Sequence, residues 1–457
     1  MTETAGPFVV TGLGAVSAWG WGVRPLWQGL LSGRTAIRPL DRFPSDDQRT
    51  TLAAQAPPPP AGLAERFPEW ERLSVADRFA VAATREALEG AGLSGSAALP
   101  PARTGVFFGG STAGMFETEE AVRCLLEPGG GSGPEPALDL DRLTSQPLDN
   151  PAGAVARMLG IAGPVITVSS ACASGTQALG LALDALRAGE VDVAVAGGSD
   201  SLCRLTYSGF NALRVVDPEA CRPFRAGRAG MSLGEGAGIL ILERLGRLAE
   251  RPAQGWDKAS AGAAPRVLAT VRGVGNSCDA HHMTAPRPDG LGASLATERA
   301  LADAGAGAEE VAFLNAHGTG TPLNDASEWR GFDRVFGERA GEIPLTATKA
   351  SIGHLLGSSG ALEGVATVLC LSTRRVHPTP GDHAVDPETP VRLVLDRPLT
   401  LERPGLAVST SFGFGGANAA AVFGPAPAEA EALRTPDEEL GEEPDQSARS
   451  RRRREVA

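Results

Sequence analysis

The amino-acid sequence predicts an α/β fold, and three observations support this. Short runs rich in β-branched residues alternate with Ala- and Leu-rich stretches whose apolar residues recur every three or four positions. This pattern is typical of strands joined by helical crossovers in mostly parallel sheets. Most strand candidates are followed directly by Gly, Ser or Thr, so turns and possible sites are expected at their ends. With 457 residues, 42% of them hydrophobic, the chain can bury a large core without cross-links.

The predicted elements follow from this local periodicity. The strand candidates are residues 8–11, 104–108, 165–168, 191–196, 238–243, 267–274, 311–315 and 407–409. The helix candidates, which would cover the sheets, are residues 75–91, 173–188, 291–304 and 360–371.

A break near residue 262 divides the chain into two parts that each begin with a strand and proceed through helices to a Gly-rich segment, which suggests an internal repeat. We expect an N-terminal half over residues 1–261 and a C-terminal half over 262–424. From 425 to 457 the sequence is acidic, then basic, and poor in large apolar residues, so a disordered tail is predicted. Surface loops or an insertion are expected at 51–62, 129–136 and 251–265.

Composition excludes several classes of protein. The formal net charge of −12 argues against a nucleic-acid surface, and the strongly basic run at 451–454 lies beside the C-terminus, where it reads as solvated tail. No secretory signal is visible, and no apolar stretch approaches the ~20 residues that a membrane helix needs. The six cysteines form no CxxC pair and no metal-ligand spacing, which argues against disulfides and zinc. A cytoplasmic protein without a metal is expected.

The first chemical signal is Cys172. Residues 165–180 read as a buried strand, a turn of small residues and a helix, with Cys172 at the turn. A thiol at a helix N-terminus faces unpaired backbone N–H groups and the positive end of the helix dipole, so a lowered pKa is expected. A free cysteine is also a common buried apolar residue. By itself, this segment therefore leaves catalysis and packing open.

Two further segments place a histidine beside glycines. His317 follows the strand candidate 311–315 and begins a Gly-rich turn; the alternative there is a structural histidine bonded to a backbone carbonyl. His354 comes five residues after Lys349 and is followed by glycines that permit close approach of backbone or ligand. Both histidines thus lie where a chain turn could present them to a substrate.

A fourth segment, residues 409–418, combines Phe412 and Phe414 with glycines that can direct N–H groups inward, although a Gly-rich turn after a strand also explains it. Taken together and in this order, the four segments resemble the β-ketoacyl synthase family of the thiolase superfamily, most closely its elongating ketosynthase II type. The resemblance extends over nearly all of residues 7–424. Shorter matching motifs lie at 10–14, 197–200, 222–224, 233–238 and 282–284.

The resemblance implies a duplicated, thiolase-like αβαβα fold of five layers, working as a homodimer or with a related ketosynthase-like subunit. It implies that Cys172 takes an acyl chain from the phosphopantetheine arm of an acyl carrier protein, with no tightly bound cofactor. His317 and His354 take the positions of the histidines that hold the malonyl thioester carbonyl during decarboxylation. The charge that develops on that oxygen calls for two neutral imidazole N–H donors.

The resemblance also implies the remaining roles. Lys349 and Glu328, the acid expected to pair with it, would set the electrostatics of the site. The backbone N–H groups of Cys172 and Phe414 would form an oxyanion hole, and Phe414 would gate the acyl pocket. Further substrate-binding positions are expected at Phe210, Thr284, Thr319, Thr321 and Phe412.

The carrier-docking segment departs from the family pattern. Fatty-acid members carry a Lys- and Arg-rich segment where residues 69–78 here are mixed in charge. The candidates for docking are Arg72, Arg78 and Arg214, and we hypothesise a dedicated, less acidic carrier protein of a secondary-metabolite pathway. The sequence leaves open the acyl chain length, the pathway and whether the dimer contains two copies of this chain or two different chains.

Two other classes of protein fit the sequence less well. A thiolase normally needs a second catalytic cysteine near its C-terminus, and no cysteine follows Cys370. A catalytically silent partner subunit would lack the nucleophile that Cys172 supplies. The branch of the family that starts chains uses cysteine, histidine and asparagine, whereas the third position here is His354. An active condensing enzyme of the elongating kind is therefore favoured.

Overall fold

A computed structural model describes residues 6–93, 99–126, 140–248 and 266–431. Within them the strands are β1 (Phe8–Ser17), β2 (Gly20–Trp21), β3 (Arg38–Pro39), β4 (Leu52–Ala53), β5 (Thr104–Gly109), β6 (Val165–Val168), β7 (Val193–Asp200), β8 (Gly236–Arg244), β9 (Ala269–Cys278), β10 (Val311–Asn315), β11 (Pro344–Thr346), β12 (Arg375–Val376), β13 (Arg392–Leu393), β14 (Leu399–Thr400), β15 (Leu406–Phe412) and β16 (Ala417–Pro425). The α-helices there are α1 (Val23–Leu31), α2 (Val75–Gly90), α3 (Met115–Leu126), α4 (Asn150–Leu159), α5 (Ser174–Ala188), α6 (Arg204–Ala212), α7 (Leu245–Leu248), α8 (Leu291–Ala304), α9 (Pro322–Phe336), α10 (Lys349–Ile352), α11 (Ser359–Thr373) and α12 (Ala428–Glu431).

The two halves of the chain build the same arrangement of five strands. The hydrogen-bonded order is β6-β5-β7-β8-β1 in the first half and β11-β10-β15-β16-β9 in the second. In both, the first three strands in this order are parallel neighbours and the last two pairings are antiparallel. β1 and β9 join the halves into one continuous sheet. The predicted duplication is confirmed; the predicted boundary at 261/262 lies outside the described residues.

Helices complete the five layers. α2 and α4 cover the outer face of the first half, and α8, backed by α9, covers the outer face of the second. α5 and α11 pack against each other and contact strands of both halves. Their closeness depends on glycine, because a Cβ atom on Gly175 would lie 2.7 Å from the Ala361 nitrogen. The central helices therefore bring the start of α5 and the start of α11 together.

Some sequence-based expectations were wrong. The sheets are not mostly parallel, since β8 and β16 run against their neighbours. β16 was missed because its sequence is rich in Ala and contains a single β-branched residue, Val422. The short link from β15 forces the two strands to pair antiparallel. α9 was also missed, because its charged residues obscure the apolar period.

The structure tests some of the predicted loops and the predicted start of the tail. Residues 51–62 are mostly irregular but contain β4, which pairs with β3. Ordered chain continues past 424 through α12, where Ala430 is buried beside Val9 and Val267, so the tail was predicted to begin too early. The loop at 129–136, the insertion at 251–265 and the run at 451–454 lie outside the described residues. Within the described part of the chain, no helix combines the length and apolarity needed to cross a bilayer.

Candidate active site

Cys172 lies in the tight turn between β6 and α5. The residue before it, Ala171, has φ of +53°, a left-handed conformation that is strained for a side chain with a Cβ atom. The Ser174 hydroxyl holds the turn, since it accepts from the Ser170 N–H at 2.8 Å and donates to the Ala171 carbonyl at 2.6 Å. The thiol is thereby fixed at the wall of a buried cavity.

Burial dominates the acidity of the Cys172 thiol. Desolvation raises its pKa to about 11, although the charge of Lys349 and the backbone N–H groups of Phe414 and Cys172 act to lower it. The expected lowering was wrong because burial removes more hydration from a thiolate than the turn and the helix start replace. Cys172 is therefore a protonated thiol at neutral pH.

His317 lies two residues after the end of β10 and is fixed through its backbone. Its N–H donates to Glu328 at 2.8 Å and to the Thr410 hydroxyl at 3.0 Å. The Lys349 ammonium lies 3.0 Å from Nδ1 and donates to the His317 carbonyl at 2.7 Å. Because an ammonium can only donate, Nδ1 accepts and the ring proton is assigned to Nε2. Burial, then the charge of Lys349, holds the pKa of His317 well below its ordinary value.

His354 is held in the same tautomer by different groups. Its Nδ1 lies 3.0 Å from the Leu356 N–H, which can only donate, and 2.8 Å from the Ser359 hydroxyl. The ring proton is therefore on Nε2, and that buried atom has no hydrogen-bond partner among the residues that the structure describes. Burial, with the charge of Lys349, also holds the pKa of His354 well below its ordinary value. The cavity thus contains a neutral imidazole with an unused N–H donor.

Cys172, His317 and His354 converge from the two halves of the chain. The sulfur and one ring nitrogen of each histidine lie within 4.8 Å of one another, and the two imidazole rings are nearly perpendicular at 5.3 Å. Such spacing would also suit a metal ion. The donor set does not fit one, because a metal needs the Nε2 lone pair and the groups at both Nδ1 atoms place the proton there. Two N–H donors beside a thiol suit a substrate oxygen instead.

Lys349 forms a buried ion pair with Glu363 of α11. The predicted pairing of Lys349 with Glu328 was wrong, because α11 passes next to Lys349 and supplies the nearer acid. Glu328 instead accepts from the N–H groups of His317 and Gly318 and from the Thr410 hydroxyl. Sequence reasoning missed Glu363; the available signal was an acid inside an otherwise apolar helix, where a charge needs a partner.

Both acids have raised pKa values. Burial raises the pKa of Glu328 to about 7, although the hydrogen bonds from Gly318 and Thr410 act to lower it. Burial likewise raises the pKa of Glu363 to about 7, opposed by Lys349. Each of these carboxyl groups therefore loses its proton near pH 7 in the folded protein.

The segment after β15 closes over the thiol. The Phe414 N–H is directed at the Cys172 sulfur, and a Cβ atom on Gly413 would lie 3.1 Å from the Cys172 nitrogen. The Phe414 ring lies 5.6 Å from the ring of Phe210, and the Phe412 ring lies 5.7 Å from that of His317. The aromatic residues that the sequence singled out therefore surround the reactive groups.

A cavity of about 250 Å³ connects these groups to the surface. Its lining includes the remaining predicted substrate residues, Thr284, Thr319 and Thr321, together with Arg214. Arg72 and Arg78 do not line it: Arg72 lies 3.8 Å from Glu69, and Arg78 lies 3.5 Å from Glu71 and stacks on Trp70. Of the docking candidates, Arg214 alone borders the cavity.

Comparison with known proteins agrees with this site. The chain matches the family model "Beta-ketoacyl synthase, N-terminal domain" over residues 5–247 and "Beta-ketoacyl synthase, C-terminal domain" over residues 268–382. The chain therefore belongs to the β-ketoacyl synthase family. A condensing acyltransferase of fatty-acid or polyketide biosynthesis, the class that the sequence predicted, is confirmed.

Three relatives illustrate the match. The chain is 36% identical to nodulation protein E of Rhizobium meliloti over 421 residues, which cover 91% of this chain and 98% of that protein. It is 35% identical to 3-oxoacyl-[acyl-carrier-protein] synthase 2 of Synechocystis sp. over 425 residues, covering 91% and 97%. The solved structure of the ishigamide ketosynthase/chain length factor superposes with a TM-score of 0.84 at 31% identity, covering 93% of this chain and 100% of that one.

Proposed function

We propose that the protein is a 3-oxoacyl-[acyl-carrier-protein] synthase that condenses an acyl group on Cys172 with a malonyl unit and releases CO2. The observation that carries the proposal is the pair of neutral imidazoles with Nε2–H groups beside a buried thiol. The Nε2 atom of His354 has no hydrogen-bond partner within the described part of the chain. Because an unpaired buried donor is costly, the cavity is built for a substrate that supplies an acceptor.

In the first step the Cys172 sulfur attacks the acyl thioester of a carrier protein. The new S–C bond forms as the bond to the pantetheine sulfur breaks, and the Cys172 proton goes to that departing sulfur. The tetrahedral oxyanion is stabilised by the N–H groups of Cys172 and Phe414, which both face the thiol. No resident cofactor is needed, since both substrates arrive on phosphopantetheine arms.

In the second step a malonyl thioester places its carbonyl oxygen against Nε2–H of His317 and His354. The bond to the carboxylate carbon breaks, CO2 leaves, and the electron pair moves into an enolate whose charge the two donors stabilise. The enolate carbon then attacks the acyl thioester, forming a C–C bond as the C–S bond breaks and Cys172 leaves as a thiolate, which takes a proton from solvent to restore the thiol. Lys349 and Glu363 act by holding His317, without bonding to substrate.

The mouth of the cavity supports the hypothesis of a less acidic carrier. Leu323, which is 64% exposed, lines it. Leu213 and Met283, exposed by 54% and 75%, are the chain neighbours of the lining residues Arg214 and Thr284. Arg214 is exposed and charged, whereas the other charged lining residue, Asp279, is buried. Such a rim favours apolar contact over ion pairs, so kcat/KM with the cognate carrier should change less than about twofold between low and high salt. Equal efficiency with a housekeeping carrier protein would rule the hypothesis out.

The test of the main proposal is mass spectrometry of the protein incubated with acyl-carrier and malonyl-carrier thioesters. Wild type and the control Cys278→Ala, which removes an exposed thiol, should show an acyl adduct on Cys172 and a product extended by two carbons. Cys172→Ala should show neither. If wild type forms no adduct with any carrier, a silent partner subunit becomes the better assignment.

We further propose a cytoplasmic dimer, with a second copy or with a related ketosynthase-like subunit. β6 is an edge strand of the sheet, and its Val165 and Ile166 are 41% and 39% exposed. Edge strands with apolar side chains readily pair with another chain. Since β6 leads directly into the Cys172 turn, this pairing would also support the nucleophile.

A further inference from the structure

The Ser359 hydroxyl makes a contact that the proposed reaction does not by itself require. Ser359 is the first residue of α11, is 2% exposed, and lies 2.8 Å from Nδ1 of His354. The neighbouring Ser358 is equally buried but donates to the Leu355 carbonyl. Of the two adjacent serines at the start of α11, Ser358 therefore bonds to the loop backbone and Ser359 bonds to His354.

The contact has only one consistent direction. The Leu356 N–H already donates to Nδ1, so this nitrogen is an acceptor and Ser359 is a second donor to it. Leu356 has φ of +53°, an uncommon conformation for leucine that directs its N–H toward the ring. A strained backbone and a buried hydroxyl thus converge on one lone pair.

We propose that Ser359 is a positioning residue that, together with the Leu356 N–H, holds His354 as the Nε2–H tautomer and opposes its protonation. This inference rests on the proposed function. Placing a second proton on His354 would put an N–H at Nδ1 against the Leu356 N–H and would break the hydrogen bond that Ser359 donates. Among the described residues, Cys172, His317 and Lys349 are the titratable groups beside His354. The nearby acids are engaged elsewhere, Glu363 by Lys349 and Asp200 by the Ser358 N–H.

The two histidines are therefore fixed differently. His317 is held by the charge of Lys349, whereas His354 is held by two neutral donors. Removing a charge would disturb both rings, but removing the Ser359 hydroxyl should disturb His354 alone. This separation makes the role of Ser359 measurable.

The experiment compares Ser359→Ala, Ser359→Thr and the matched control Ser358→Ala in two assays. One measures CO2 release from malonyl-carrier protein, and the other measures acylation of Cys172 by acyl-carrier protein. Ser359→Ala should slow CO2 release about 3- to 10-fold, the effect of one lost hydrogen bond in a buried site, with acylation nearly unchanged. Its rate should also fall at acidic pH sooner than that of wild type, because protonation of His354 becomes easier. Ser359→Thr should restore both properties.

Several outcomes would overturn the inference. The first is a Ser359→Ala variant that releases CO2 as fast as wild type and loses activity at the same acidic pH. Another is an equal loss in both assays together with a lowered Tm, or the same profile in Ser358→Ala, since these indicate a structural role only. Failure of the proposed function is distinguishable, because wild type itself would then give neither acylation nor CO2 release.

Discussion

The Nζ atom of Lys349 lies 3.0 Å from Nδ1 of His317 while it pairs with Glu363 on α11. A single buried cation therefore fixes the tautomer of a histidine and neutralises an acid of the central helix layer. Loss of the Lys349 charge should therefore lower stability through Glu363 and lower CO2 release through His317, and the two effects can be measured separately.

Lys349→Met leaves the Glu363 carboxyl group without its cation in a dry site. We expect the free energy of unfolding to fall by about 3–5 kcal/mol and CO2 release to be lost. In Lys349→Met/Glu363→Leu the buried acid is gone, so urea unfolding should show most of the stability restored while CO2 release stays absent. Recovery of CO2 release in the double variant would mean that Lys349 does not act on His317.

The raised pKa of Cys172, about 11, predicts slow alkylation at neutral pH. Only the thiolate reacts, so the rate of iodoacetamide labelling should rise close to tenfold per pH unit from pH 7 toward 10. Peptide mapping should separate Cys172 from the exposed Cys278, which serves as the internal control. Fast, pH-independent labelling of Cys172 between pH 6 and 8 would show that the thiolate is already formed.

Glu328 should make stability depend on pH. Its folded pKa is raised from 4.5 to about 7, so the folded state binds the proton more tightly than the unfolded state. The stability that it contributes is fully present below pH 4.5 and is lost as pH rises through about 7. Urea unfolding of wild type at several pH values should show this decline, and Glu328→Gln should make it shallower. An identical slope in the variant would assign the decline to other groups, such as Glu363.

Gly413 permits the close approach of two segments at the nucleophile. Its φ of −107° is open to any residue, but a Cβ atom would lie 2.9 Å from the Ser170 carbonyl oxygen and 3.1 Å from the Cys172 nitrogen. Gly413→Ala should therefore displace the Cys172 turn and lower kcat by about 10-fold or more, with little change in Tm. Gly209→Ala in α6, where nothing lies within 4 Å, is the control and should keep full activity. Full activity in Gly413→Ala would mean that the turn tolerates the shift.

The edge strand β6 gives a test of the dimer. Ile166→Lys places a charge on an exposed apolar edge and should shift the protein to a monomer in sedimentation, with reduced activity. Leu395→Lys, at a side chain of similar exposure, 36%, should leave the assembly unchanged. A monomeric wild type with full activity would contradict the proposed assembly.

The sequence predicted much of this site because Cys172, His317 and Phe414 each follow a strand, whereas His354 follows the short helix α10. β10 leads to His317, β6 leads to Cys172, and the strand that was assigned at 407–409 leads to Phe414. These positions depend on local patterns that a single segment contains. The fold therefore follows in part from periodicity, whereas β16 and several helices, among them α4, α6 and α9, were not predicted.

Contacts between distant segments could not be predicted in the same way. The partner of Lys349 depends on how α11 crosses the site, so Glu328 was chosen in place of Glu363. The thiol pKa depends on the depth of the cavity, which no local sequence records. Arg72 and Arg78 were proposed for carrier docking from the family resemblance; in the structure they lie beside Glu69, Glu71 and Trp70, and their role in docking stays a prediction.

The reactive groups are shared between the two repeats. The first contributes Cys172, and the second contributes His317, His354 and the Phe414 N–H, so neither repeat contains a complete set. Duplication here did not yield two equivalent centres but a division of labour, in which one copy holds the acyl group and the other generates its attacker. The smallest catalytic unit of this polypeptide is therefore the fused pair, and a chain cut between the repeats should regain turnover only if its fragments reassociate.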